Sequence, residues 1–436
     1  MIESYQILYL YLAVRHFVPI TTFLTPYLIE KKKFTNKEVF NKITHFFFIA
    51  SLFASMYGPI IIKGIGNMNV MLLETFLEIV NCFILYFMGD RMLRDARIVS
   101  IFHGTASSFT TIGKGILLEL KPPHKADKDM IAANGLIKRI GGVLSSWIGQ
   151  DLKYSTGEHQ ANLLFSLFML VLSFGIGLFV PSKYKSGGAN LFEFFTSKES
   201  LETLMDIYNG RVIFFCLLNI IGSTLYICFA IYSVSIFIER KKDVDPGVNF
   251  IGKWLYALSY PMRAISWSIV KMLSIFDRSL VYAPKYDKDT VIFGYIDGLA
   301  KLMAGLSGYI ISKCAKKVVV YRHGCMICII LVMVLTYSMG ATRSLLQSYL
   351  IFIVCAACSQ VGLNWSSVGF SKNNEQLVSL IMGINLLISS IIHISISYYS
   401  KYMNYNATNK MLLYFYINSC LLIMAGSLYF IADFEI

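Results

Sequence analysis

Stretches of mostly apolar residues recur along the whole chain, separated by short polar connectors. An α-helix needs roughly 20 such residues to cross a hydrocarbon core, because backbone groups left unpaired there have no water to bond. Thirteen candidate spans follow, near residues 5–29, 42–63, 68–89, 95–119, 130–152, 160–181, 211–239, 250–277, 290–313, 317–340, 345–369, 376–400 and 410–432. The first, beginning MIESYQILYLYLAV, has no basic leader and no small-residue cleavage site, so it is expected to be retained as a span. After it, FLTPYLIEKKKFTNKEVFNKI at 23–43 places Pro26 near the end of the first span. In the same stretch Thr35 with Glu38 reads as a capping box opening the approach to the second.

The longest polar interval, 182–210, splits the chain, and the two parts repeat. The pattern G-x-I-I-x-K stands at 58–63 and again at 308–313, so that Lys63 and Lys313 lie 250 residues apart. Moving the six first-half spans by that offset lands each on a second-half candidate, which is stronger than the short match itself. Two six-helix bundles in parallel repeat are the plan of the major facilitator superfamily. The expected fold is therefore an all-α polytopic membrane protein of that type, with a bundle over 1–181, a central region over 182–249, and a second bundle over 250–436.

One candidate is surplus. The 211–239 stretch has no charge between Arg211 and Glu239 and is the better span on hydropathy, whereas 250–277 carries Lys253, Arg263 and Lys271. The offset nonetheless favours 250–277 as the seventh span and 211–239 as an inserted helix. Lysine-rich loops at 119–129 and 312–323 place both termini in the cytoplasm, and Asn406 of an N-A-T sequon outside. Lysines 31–33 run against that assignment. The plasma membrane is the expected location.

Composition agrees with this picture: 56% of the 436 residues are hydrophobic, 14% aromatic and only 15% charged. The net charge of +13 is spread over loops on both faces, which fits anionic lipid contact rather than nucleic acid. Nine cysteines lie scattered, mostly within spans, and read as packing residues. They supply no metal site, nothing calls for a cofactor, and no phosphate-binding loop suggests coupling to ATP. The polar intervals are too short for a catalytic domain outside the membrane.

Charges inside spans carry the functional signal, because an ionisable group at bilayer depth normally faces a bundle interior or a wet cavity. Lys114, Lys138, Arg139, Arg263, Lys271, Asp297, Lys301 and His393 are such residues. Lys114 and Lys271 lie where a lysine can snorkel to the headgroups. Asp297 and Lys301, spaced i, i+4, are either a charge-paired structural element or part of a substrate site. Arg139 and His393 sit mid-span on helices related by the offset, the geometry of a midplane site lined from both halves.

The stretch PITTFLTPYLIEKKKFTNKEVFNKIT at 19–44, with SSWIGQ at 145–150, GYIDG at 294–298 and MGIN at 382–385, resembles the reduced folate carrier and thiamine transporter family. The resemblance covers most of the chain outside 182–249 and implies a carrier that moves a water-soluble vitamin by alternating access. The family's first-span acid falls on Thr21, and its fifth-span arginine falls near Gly135, one turn from Arg139 on the same face. The folate carriers' tenth-span arginine falls on Ala356, with the glutamine four residues on kept as Gln360. Their eleventh-span lysine falls on His393.

Thiamine, a cation, calls for acidic or aromatic partners, whereas folates are dicarboxylates served by guanidinium and ammonium groups. Arg139, Arg263, Lys114 and His393 without the first-span acid favour a folate-like anion, with thiamine or its phosphate esters as the alternative. The expected substrate contacts are Arg139, His393, Gln360, Lys114, Arg263 and Thr21, with Asp297, Lys301, Lys63 and Lys313 as structural or gating charges. His393 would make uptake pH-dependent if it titrates near neutrality. No enzyme activity is expected. A multispanning acyltransferase using His393 as a base, or a transport-dead receptor or scaffold, are the readings of other classes. A monomer or weak homo-oligomer, embedded in lipid, is the expected state.

Overall fold

The computed structural model describes residues 4–112, 116–120, 122, 127–181, 210–240, 246–284, 292–314, 318–371 and 378–431. The first apolar block is two helices, α1 (Ser4–Arg15) and α2 (Pro19–Glu30). The break between them falls where Pro19, which lacks an N–H, starts the second helix and cannot continue the first. The predicted capping box is formed at α3 (Asn36–Glu38): Thr35 Oγ1 accepts from Glu38 N at 3.2 Å and the Glu38 carboxylate accepts from Thr35 N at 3.1 Å. A π turn over Val39–Ile43 leads from it into α4 (Thr44–Ile65). The first half continues with α5 (Asn67–Phe87), α6 (Leu93–Ile112), the short α7 (Ile116–Glu119), α8 (Asp127–Thr156) and α9 (Gln160–Gly177).

Beyond the central interval come α10 (Gly210–Arg240), the short α11 (Pro246–Leu258) and α12 (Tyr260–Leu273). The remaining helices are α13 (Phe293–Cys314), α14 (Val318–Ala341), α15 (Leu345–Ser371), α16 (Val378–Tyr402) and α17 (Ala407–Ile431). Among the described residues nine segments are long and apolar enough to cross a membrane. Three other long helices, α6, α8 and α13, are more polar because they carry charges such as Arg97, Lys138, Arg139, Asp297 and Lys301.

The repeat is clear in the helix boundaries. Shifting α4, α5, α6, α8 and α9 by 250 residues lands on α13, α14, α15, α16 and α17. The first block does not follow: the same shift moves Ser4–Glu30 into the region of α11 and α12, and here the sequence expectation is corrected. The 250–277 stretch is not one span but two short helices meeting at Ser259, with Pro261 in the first turn of α12. Phe250, Trp254, Tyr260 and Trp267 on them are exposed. The 211–239 stretch, expected as an insert, is one unbroken helix buried against α15, α17 and α16, the place of a seventh span. The extra segment thus lies between the seventh and eighth spans.

Two seams join the halves, α8 against α13 and α4 against α16. Glycine permits the first: a Cβ at Gly298 would meet the Trp147 ring at 2.1 Å, and one at Gly294 would lie 2.6 Å from Ser146 O. Successive spans alternate in direction, so Ser4 and Ile431, the first and last described residues, lie at one face, termed the terminal face. The connector 31–35 and Asn406 lie at the other.

Candidate substrate cavity

A cavity of about 380 Å³ lies between the halves. Its walls come from helix segments near the terminal face: Ser107, Thr110 and Thr111 at the end of α6, Asn134, Lys138 and Arg139 on α8, Asn219 and Tyr226 on α10, Gln360 and Asn364 on α15, and Met382 on α16. A smaller lobe of about 140 Å³ continues deeper, between Phe229, Phe293, Asp297, Phe352 and Ala356. Thr21, Arg139, Tyr226 and Lys301 line both lobes.

Arg139 stands at their junction. Its Nη2 and Nε donate to Gln360 Oε1 at 2.7 and 3.1 Å, and Nη1 donates to Tyr226 Oη at 2.8 Å. The guanidinium carbon lies 5.2 Å from the Tyr226 ring centre, a cation–π distance. Gln360 Nε2 in turn donates to Asn364 Oδ1 at 2.7 Å. One arginine therefore ties α8 of the first half to α10 and α15 of the second, while all its partners are neutral.

Lys301 is bound differently. Its ammonium lies 2.5 Å from Asp297 Oδ2, and it donates to Ser146 Oγ at 2.8 Å and Thr22 Oγ1 at 3.0 Å. Both hydroxyls also donate to Asp297, at 2.6 and 3.0 Å. The pair is thus internally neutral and joins α2, α8 and α13.

The face opposite the termini is closed by contacts between the halves. Asn36 donates to Ser235 Oγ at 2.6 Å, Lys410 to Asn41 Oδ1 at 2.7 Å, and Gly294 N to Gln150 Oε1 at 2.9 Å. Asp151 accepts from Tyr295 at 2.5 Å and from Ser259 at 2.9 Å. Beside them Lys32 donates to Met88 O, and burial holds its ammonium below the ordinary lysine range. At the start of α9 burial likewise lowers His159, whose ring packs 5.4 Å from Phe23. Among the described residues the cavity is therefore shut off from the opposite face, and its walls lie in the helix segments nearer the terminal face.

Of the residues expected at the site, Arg139, Gln360 and Thr21 line the cavity, as do Asp297 and Lys301. The Thr21 hydroxyl is turned back onto Val18 O at 2.8 Å, across the break in the first block. His393 is not at the cavity: it is 1% exposed, stacked on Phe48 at 4.5 Å and 7°, with Nδ1 2.6 Å from Tyr414 Oη. It packs the α4–α16 seam. Arg263 is also elsewhere, on α12, over the Tyr256 ring at 3.5 Å. Lys114 lies outside the described residues, as do the side chains of Lys63 and Lys313, whose backbones end α4 and α13.

Lys138 joins Arg139 on the wall, and Asn134, Asn219, Tyr226 and Asn364 were not anticipated as lining residues. Nor was a buried ionic cluster behind the first-half wall. Arg15 reaches Glu74 through both Nη2 and Nε, the latter at 3.0 Å, and lies 4.0 Å from Glu78, which meets His103 Nδ1 at 2.7 Å. Glu74 and Glu78, one turn apart in an otherwise uncharged α5, were the signal available in the sequence.

No family model matches the chain, and no curated protein matches it. Solved structures do. The human organic anion transporter MFSD10 (TETRAN) superposes with a TM-score of 0.56 at 12% identity, covering 97% of this chain and 98% of that one. A point mutant of the nucleoside transporter NupG superposes with a TM-score of 0.57 at 12% identity, covering 97% and 99%. At such identity the likeness speaks for architecture: the chain has the major facilitator-type fold of a multi-pass membrane protein.

Proposed function

We propose that this protein is an alternating-access transporter of a small organic anion, with a folate-like dicarboxylate as the first candidate substrate. The observation that carries the reading is the cavity between the halves. Arg139 and Lys138 line it beside amide and hydroxyl groups, and Asp297, the one carboxylate among the described lining residues, is bonded to Lys301. A volume of about 380 Å³ is in the range of ligand-sized sites. Arg139 now spends its donors on Gln360 and Tyr226, both neutral, so a carboxylate offers it a stronger, charge-assisted partner. Because those two partners belong to the second half, substrate that captures Arg139 also releases a tie between the halves. That is a differential interaction with two states, the requirement for a ligand to drive rocking.

The motif resemblance to folate and thiamine carriers supports a vitamin, and the cavity charge favours the anionic member. Thiamine would find no unbonded carboxylate among the described lining residues. Counterflow of labelled folate in proteoliposomes, with unlabelled folate or thiamine inside, tests the reading. Folate exchange is expected, and Arg139→Ala is expected to weaken apparent affinity roughly ten- to hundred-fold, the value of a lost charge-assisted contact. Undiminished folate transport by Arg139→Ala would sink the site. Folate binding without counterflow in the intact protein would identify a receptor instead.

A further inference from the structure

We propose that Glu78 and His103, behind the cavity wall of the first half, form a proton-binding site that couples proton movement to transport. The inference rests on the transport reading above. The groups facing the pair come from three helices: Tyr11 and Arg15 from α1, Glu74 and Cys82 from the same α5 as Glu78, and His103 from α6. From α4 the neighbour is the uncharged Phe47 ring, 5.5 Å from the imidazole.

Charge counting makes the case. Arg15 clasps Glu74 through two nitrogens, which neutralises that carboxylate. Glu78 is left 4.0 Å from the same guanidinium and takes its close hydrogen bond from His103 at 2.7 Å. With one cation against two carboxylates the cluster carries a surplus negative charge unless a proton resides on the Glu78–His103 pair. The Arg15, Glu74 and Glu78 side chains are 8%, 1% and 10% exposed, and an uncompensated charge so deep is strongly disfavoured. The conformation described here therefore holds the proton, as an imidazolium donating Nδ1–H to Glu78. The His103 side chain is 30% exposed against 10% for Glu78, so it is the less enclosed end of the pair.

The site touches the moving parts of the carrier. Arg15 is the last residue of α1, directly before the break in the first span, and His16 beside it lines the cavity. Phe47, against the imidazole, lines it too, and Ser107 one turn beyond His103 on α6 is part of its wall. The proposal requires that opening the opposite face, through α6 or the break, changes the surroundings of His103. The proton is then released or taken up as the substrate changes sides.

The experiment uses the full chain in proteoliposomes with the membrane potential clamped at zero. Labelled folate is the probe, and a trapped pH-sensitive dye reports protons. For one proton per substrate, one pH unit of gradient sets about a ten-fold accumulation. The wild type is expected to reach it, with proton movement seen by the dye. Glu78→Gln keeps Arg15 matched to Glu74 and needs no proton for neutrality, so it is expected to exchange folate but accumulate less than about two-fold under the same gradient. Equal gradient-driven accumulation by wild type and Glu78→Gln overturns the proposal, as does wild-type exchange indifferent to the gradient. If folate does not exchange at all, the substrate reading fails and the pair is read by titrating the melting temperature of purified protein. Wild type should lose stability as pH rises and the proton leaves, while Glu78→Gln should lack that loss; identical profiles overturn the site.

Discussion

The first apolar block and α10 each open one half of the molecule, and they are built from opposite materials. The first is cut after Arg15 and resumes at Pro19, and it sends a buried guanidinium into a cluster of acids. Helix α10 runs unbroken from Gly210 to Arg240, and its buried polar groups, Asn219, Thr224, Ser233 and Ser235, are all neutral. Asn219 accepts Asn385 at 3.5 Å and donates to Ser366 at 2.9 Å, while Thr224 meets Ser389 at 3.0 Å. A continuous helix satisfies its own backbone and moves as a rod. A broken one frees backbone groups at the cut and supplies a joint, at the cost of needing partners there. The difference locates adaptable structure in the first half and a rigid post in the second.

The largest effect is expected where ions are buried. Arg15→Ala leaves Glu74 and Glu78 without their cation and should cost about 3–5 kcal/mol, read as a sharply lowered melting temperature in detergent. A melting temperature equal to wild type would show that the ionic cluster does not hold the first block in place. The matching change on the rigid post is Asn219→Leu. It removes two hydrogen bonds between neutral groups, to Ser366 and from Asn385, for about 1–2 kcal/mol. If Asn219→Leu proved the costlier of the two, the contrast between ionic joint and neutral post would be reversed. The smallest effect belongs to Asn36→Ala, which severs the bond from the first-half connector to Ser235 near the end of α10. About 0.5–1.5 kcal/mol of closure should be lost, so a cysteine placed at Thr110 should react more slowly with a water-soluble thiol reagent as the cavity spends less time open to the terminal face. A faster reaction would mean that Asn36 does not latch the closed face.

Much of this was legible beforehand. The 250-residue offset foretold five of six second-half helices because those helices keep their spacing on both sides of the repeat. It misassigned the seventh span because the match at Gly58–Lys63 and Gly308–Lys313 lies downstream of the extra segment and cannot register an insertion before it. Hydropathy was the better guide there: a stretch with no charge between Arg211 and Glu239 can be buried wholesale, whereas Lys253, Arg263 and Lys271 keep α11 and α12 at a wet boundary. Mid-span depth singled out Arg139 and His393 alike, but depth carries no azimuth. Arg139 points at the cavity and His393 at Phe48. The Arg15 partners were hidden for another reason, since contacts across 59 residues between helices leave no local pattern.

The segment between the seventh and eighth spans has a last consequence. It belongs by sequence to the second half, yet α12 packs on α8 and α9, Ser259 donates to Asp151 at 2.9 Å, and Ala283 N donates to Ser155 O at 2.7 Å. It is therefore a buckle fastened across the shut face. Under the proposed transport cycle, opening that face must undo these bonds as well as the Arg139 tie, so the step should be slow. A reagent that pins the buckle would arrest the cycle with the cavity still reachable from the terminal face.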